Sequence, residues 1–206
     1  MSLKLTMQGV ALLALTACGE GDPADLTGDL DGTASSVESL LASPNPNGVT
    51  GCRYFVGKGL KNFQAAGIIG NLMQESSMNP NAIQSGGPGR GIAQWSVGGR
   101  WDRSANDNVV WYANQQHKSA WSLQLQLDFT WYELTHFPSN SLAALRSSTN
   151  ITAATIAFQN NFERCGDCRQ AQRIAYARDV LGSCPARIAS DPSMPADSLI
   201  DTDPAP

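Results

Sequence analysis

Apolar positions recur through the middle of the chain at helical spacing. Over Tyr54–Glu75, Leu60, Phe63, Gly67 and Gly70 share one face, and Ala65, Ile68 and Leu72 the next. That spacing predicts a buried helix whose glycines admit a close neighbour. Asn79-Pro80 is expected to end it, because proline disfavours helical backbone at the residue before it. Ser119–Thr135 carries two apolar rows: Trp121, Leu125, Phe129 and Tyr132, then Leu123, Leu127, Trp131 and Leu134. A helix apolar on two sides predicts the central core helix of a small domain, closed here by Pro138. Ser141–Arg146, Thr152–Phe162 and Arg169–Leu181 read as further helices, with Gly182 at a C-terminal cap position. The turn-dense Ser85–Gly91 predicts a short hairpin or tight loop. It lacks the Lys-Ser/Thr that completes a phosphate-binding loop. Strand signals are few, so the fold class is mainly α with one small hairpin or loop.

The flanks differ in composition. Lys4, the short apolar run Gly9–Ala17 and Cys18 read as an export signal, the run being too short to span a bilayer. Leu15-Thr16-Ala17-Cys18 resembles a bacterial lipobox, which implies lipidation of Cys18 and a membrane anchor; plain secretion with cleavage after Ala17 is the alternative. Gly19, and not an aspartate, follows Cys18. In Gram-negative lipoprotein sorting that implies the outer membrane as the anchored location within the cell envelope. Residues 19–50 are polar and acidic and read as a flexible tether. Residues 187–206 read as an acidic, proline-rich disordered tail. The catalytic domain is expected over 51–186.

Five cysteines are awkward for an exported protein. Lipidation of Cys18 leaves four, enough for two disulfides in an oxidising compartment. Three connectivities are open. Cys52–Cys184, at the two edges of the domain, with Cys165–Cys168 is the preferred pairing. A zinc site is not expected, since Cys165-x-x-Cys168 has no second such motif or histidine pair nearby. No metal and no cofactor are expected.

Charge sharpens the picture. Residues 51–185 hold 12 Lys and Arg against 8 Asp and Glu, while both flanks are acidic. A mildly basic domain suits an anionic polymer, although an ordinary solvated surface reads the same way. The basic residues are scattered and no groove-reading motif occurs, so nucleic acid is not an expected partner. His117 and His136 stand apart without a metal-binding or nucleophile pattern, which argues against a protease or amidase.

Gln74-Glu75-Ser76 closes the apolar helix, and Glu75 is the only acidic residue between Glu38 and Asp102. Beside Ile69, Leu72 and Met73 its carboxyl is expected to lose part of its hydration. Burial of that kind keeps a carboxyl protonated nearer neutrality and able to donate. The alternative is a helix-end carboxylate bridged to Arg90 or Arg100.

Residues Ala66 to Pro80, with the run Gly70-Asn71-Leu72-Met73-Gln74-Glu75-Ser76, and the block Gly91-Ile92-Ala93-Gln94-Trp95 resemble the phage tail lysozyme family. Gly99-Arg100-Trp101-Asp102, Gln124–Phe129 and Phe162-Glu163-Arg164 continue the likeness, which covers roughly 51–181. The resemblance implies a lysozyme-like helical domain with the hairpin beside a sugar cleft. It implies Glu75 as catalytic acid, Ser76 as the neighbour holding that carboxyl, and Gln94 lining the cleft. Trp95 and Trp101 are candidate stacking walls and equally candidate core residues.

The implied activity is cleavage of peptidoglycan glycan strands by a monomer. Glu75 would protonate the leaving oxygen. Asp102 is the leading candidate for a second carboxylate, with Asp107 and Glu163 behind it. With such a group hydrolysis follows; without one, the substrate's own hydroxyl closes on the anomeric carbon, as in lytic transglycosylases. A non-catalytic wall-binding lipoprotein is the remaining alternative.

Overall fold

The computed structural model describes residues 45–103, 105–137 and 140–185. The expected signal, lipidated Cys18, most of the tether and the acidic tail lie outside the described residues.

Among the described residues seven α-helices carry the domain: α1 Pro46–Gly57, α2 Asn62–Ser76, α3 Val109–Gln115, α4 Leu123–His136, α5 Ser141–Ser147, α6 Ile151–Phe158 and α7 Gln170–Leu181. The two-residue strands β1 Gly89–Arg90 and β2 Trp95–Ser96 form an antiparallel hairpin, pairing Gly89 with Ser96 and Arg90 with Trp95. The domain is mainly α with a small hairpin, as the apolar periodicity predicts.

The structure moves two boundaries. The domain starts before residue 51: Asn45 caps α1, its side chain accepting from the Asn47 and Gly48 amides, and Pro46 takes the first helical position, where its missing N–H costs nothing. The helix expected over Tyr54–Glu75 is two helices. Gly59 takes φ +90 and ends α1, and the Lys61 amide donates to Gln64 Oε1 at the start of α2. Leu60 is buried within the break, so apolar spacing runs straight through it. Helix α3 escaped the periodicity because seven residues span barely two turns.

Helix α2 is the hub, packed on α1, α6 and α7. Gly67 and Gly70 make this possible. A Cβ at Gly70 would lie 2.4 Å from the Arg173 carbonyl oxygen of α7, and one at Gly67 would lie 2.9 Å from the Ala154 backbone of α6. The Cys52–Cys184 disulfide joins α1 to the end of α7, with Cα atoms 5.5 Å apart. Cys165–Cys168 closes the loop before α7. Both pairings agree with the preferred connectivity. Among the described residues no helix is long and apolar enough to cross a membrane.

Candidate active site

Glu75 stands in the last turn of α2, and the chain leaves that helix under constraint. Ser77 and Met78 both have positive φ, 54 and 58. Left-handed backbone costs a non-glycine residue about 1–2 kcal/mol. Two side chains of α1's first turn offset this: Asn45 Nδ2 donates to the Ser77 carbonyl at 2.9 Å, and Asn47 Nδ2 to that of Met78 at 3.0 Å. The Ser77 amide returns to the Met73 carbonyl and completes the cap. Helix α2 therefore stops at Ser76, before Asn79-Pro80.

Ser76 Oγ–H reaches the Ile92 carbonyl at 2.9 Å and that of Leu72 at 3.3 Å. Its hydrogen bonds tie the 91–94 loop to the end of α2; they do not go to the Glu75 carboxylate, which corrects the expected role. Gln94 lies in that loop, partly buried, with φ 50 and with Nε2 donating to the Gly91 carbonyl at 2.8 Å. Gly91 itself has φ +69, and a Cβ there would press on Gln126 Oε1 at 2.6 Å. Glu75 and Gln94 thus come from two segments joined through one hydroxyl.

The partner of Glu75 is Arg173, not Arg90 or Arg100. Arg173 Nη2 meets Glu75 Oε1 at 2.5 Å. Its Nη1 donates to the Asn71 side-chain oxygen at 3.1 Å, and its Nε to the Cys168 carbonyl at 2.6 Å. The Arg173 side chain is 3% exposed and that of Glu75 21%. A buried guanidinium, satisfied on three sides, therefore holds a carboxylate that emerges at the surface. Sequence reasoning missed Arg173. Its signal was a charge on the buried Arg173–Ala177–Val180 stripe of α7.

A polar stripe on α4 holds the hairpin side. Gln126, Thr130 and Glu133 are buried at helical spacing. Gln126 Oε1 accepts from the Ile92 amide at 2.9 Å, and its Nε2 donates to the Pro80 carbonyl at 2.9 Å. Glu133 takes a two-point bond from Arg100, 2.6 Å on each side, and the Trp95 Nε1–H at 2.9 Å. Trp95 is thus a core residue, edge-on to Phe129, and Trp101 is buried against Trp121. Neither indole forms a cleft wall. Asp102 is exposed and accepts from the Gly98 amide at 2.7 Å, so it steadies a turn instead of facing Glu75. Asp107 is paired with Arg103.

Glu163 ends a five-residue π-helical turn, Gln159–Glu163, that continues α6. Its carboxyl is pushed up to about 8, first by loss of hydration and then by the charge of Glu75, with Glu133 adding to it and Arg100 and Arg173 opposing. Loss of hydration, the effect expected at Glu75, raises a carboxyl here at Glu163. It lines a cavity of about 360 Å³ with Arg100, Asp107, Glu133, Phe162 and Arg164.

The domain is helical, with Glu75 at the end of α2 and the 91–94 loop tied to that end through the Ser76 hydroxyl. Residues 47–183 match the phage tail lysozyme family, and the chain belongs to that family. Membership brings a lysozyme-like, peptidoglycan-cleaving activity. No curated protein matches the chain. Among the described residues no group of three side chains suited to a metal ion occurs.

Proposed function

We propose that the chain cleaves peptidoglycan glycan strands as a muramidase, with Glu75 as the general acid that protonates the glycosidic oxygen. The observation that carries this is the placement of Glu75. One carboxylate oxygen is held by Arg173, while the side chain stays open to solvent beside the loop that presents Gln94. A group so held is oriented without being sealed off. Protonation of the leaving oxygen lets the bond break through an oxocarbenium-like state.

Glu75→Gln tests the reading. Release of fragments from purified wall is expected to fall at least ~100-fold, in line with general-acid contributions, while binding to wall sacculi persists. Undiminished release would remove Glu75 from the chemistry. Mass spectrometry of the fragments then reads the bond and the outcome: a hydrolysed end carries one water more than the anhydro end of a transglycosylase.

Lipidation at Cys18 would hold this domain at the envelope, most simply at the outer membrane. Metabolic labelling with a fatty acid, lost in Cys18→Ala, is the expected result.

A further inference from the structure

The two disulfides differ in reach and in access. Cys52–Cys184 spans 132 positions, and both of its cysteines are buried. Cys165 and Cys168 are 3 positions apart, half-buried, and flank the exposed Gly166 and Asp167. A bond that closes so short a ring removes far less chain entropy than the long one, so global stability does not account for it.

Its surroundings point to a local task. The loop runs from Arg164 to Arg169, which both have positive φ, 52 and 46. Among the described residues no backbone-to-backbone hydrogen bond ties positions 165–168 to another segment. Helix α7 follows without a side-chain cap. Arg173, in its first turn, hangs on this loop twice. Its amide donates to the Arg169 carbonyl at 3.2 Å, and its Nε to the Cys168 carbonyl at 2.6 Å. The same guanidinium holds Glu75 through Nη2 at 2.5 Å. A chain of bonds and hydrogen bonds therefore runs from the disulfide to the Glu75 carboxylate. The rest of α7 is held independently, packed on α2 and fastened at its far end by Cys52–Cys184.

We propose that Cys165–Cys168 is a redox-sensitive clamp that positions Arg173, and through it Glu75, for glycan cleavage. This rests on the reading of Glu75 as the acid. In the closed form the Cys168 carbonyl stays fixed against the Arg173 Nε–H. Opening takes a dithiol reductant. One of its thiolates bonds to one sulfur of the pair, and the S–S bond breaks with its electron pair left on the other sulfur. The second thiolate then displaces the first cysteine. Two electrons and two protons pass to Cys165 and Cys168, and the reductant leaves as its own disulfide. The freed loop lets the Cys168 carbonyl move, and Arg173 no longer fixes the direction of the Glu75 carboxylate. Misplacing a reacting group by about 1 Å can cost ~100-fold in rate. Thiols stay reduced in a cytosol and pair in oxidising compartments, so the same bond would keep cleavage low before export.

The test is cleavage of soluble peptidoglycan chains by the full chain during titration with dithiothreitol. Alkylation and peptide mass mapping read which cysteines are free. Cys165–Cys168 is expected to open while Cys52–Cys184 stays closed. In that species kcat is expected to fall at least ~10-fold, with KM and the urea midpoint little changed, and to return on reoxidation. Full kcat with Cys165–Cys168 open overturns the proposal, and so does opening of Cys52–Cys184 first. A kcat loss matched by a lowered urea midpoint overturns it too, because the bond then serves the framework. Cys165→Ser combined with Cys168→Ser fixes the open form without reductant. That variant is expected to show the low kcat and to ignore dithiothreitol; wild-type kcat in it counts equally against the clamp. The two readings fail separately. Full cleavage by Glu75→Gln sinks the function proposed above, whereas an inactive Glu75→Gln with full kcat in the open form sinks this inference alone.

Discussion

Two arginine–glutamate pairs flank the candidate site, and they are built in opposite senses. In Arg100–Glu133 the acid is buried, 4% exposed, and the base is 41% exposed. Both carboxylate oxygens are used, by the guanidinium fork and the Trp95 indole. In Arg173–Glu75 the base is buried and the acid emerges, with the bond made through Oε1. A carboxylate whose oxygens are all engaged at depth is a structural tie between α4 and the hairpin. One gripped from behind and open in front is available to a substrate. Charge type is the same in the two cases; in the function proposed above, which partner is buried separates the framework pair from the pair that meets substrate.

Removing the buried base should break this contrast most severely. Arg173→Met leaves Glu75, Asn71 and the Cys168 carbonyl without their donor, and a broken buried pair costs about 3–5 kcal/mol. Urea unfolding should show that loss together with a collapse of cleavage. A loss of activity with unchanged unfolding would mean that Arg173 serves the substrate and not the framework.

Glu133→Gln sharpens the comparison from the other side. One oxygen becomes an amide that cannot accept from both Arg100 and Trp95. The expected cost is about 2 kcal/mol of stability, with cleavage reduced far less than by Glu75→Gln. A Glu133 variant as inactive as that of Glu75, yet normally stable, would erase the distinction between the pairs.

The smallest effect concerns Glu163 and pH. Its folded-state value lies above the unfolded one, so the stability it contributes is fully present below about pH 4. That stability is lost as pH rises through about 8. Glu163→Gln mimics the neutral carboxyl and should flatten that slope. It should exceed wild type at pH 8 by about 1–2 kcal/mol, a discounted figure because the side chain is partly open to solvent. Thermal unfolding across pH reads it, and parallel curves would deny Glu163 its displaced titration.

Much of the fold was legible locally. The apolar rows of α4 mark a core helix, and Gly67 and Gly70 announce the close approach of α6 and α7. The break at 58–61 was not legible, because Leu60 keeps the apolar rhythm inside it. The buried polar stripe Gln126–Thr130–Glu133 was hidden between the two apolar rows of the same helix. Trp95 and Trp101 fit core and cleft equally by sequence, and only their burial decides.

By itself the sequence determined the helical class, the glutamate at the end of an apolar helix and the turn-dense glycine loop, and it favoured the cysteine pairing. These follow from residue spacing and residue type, which act over a few neighbours. Tertiary structure alone decided that Arg173 grips Glu75 from 98 positions away, that Arg100 belongs to Glu133, and that Glu163 rather than Asp102 shares the field of Glu75. Those outcomes depend on which helix faces meet and how much water they exclude. Local pattern carries neither quantity, since the energy of a charge is set by its distant surroundings.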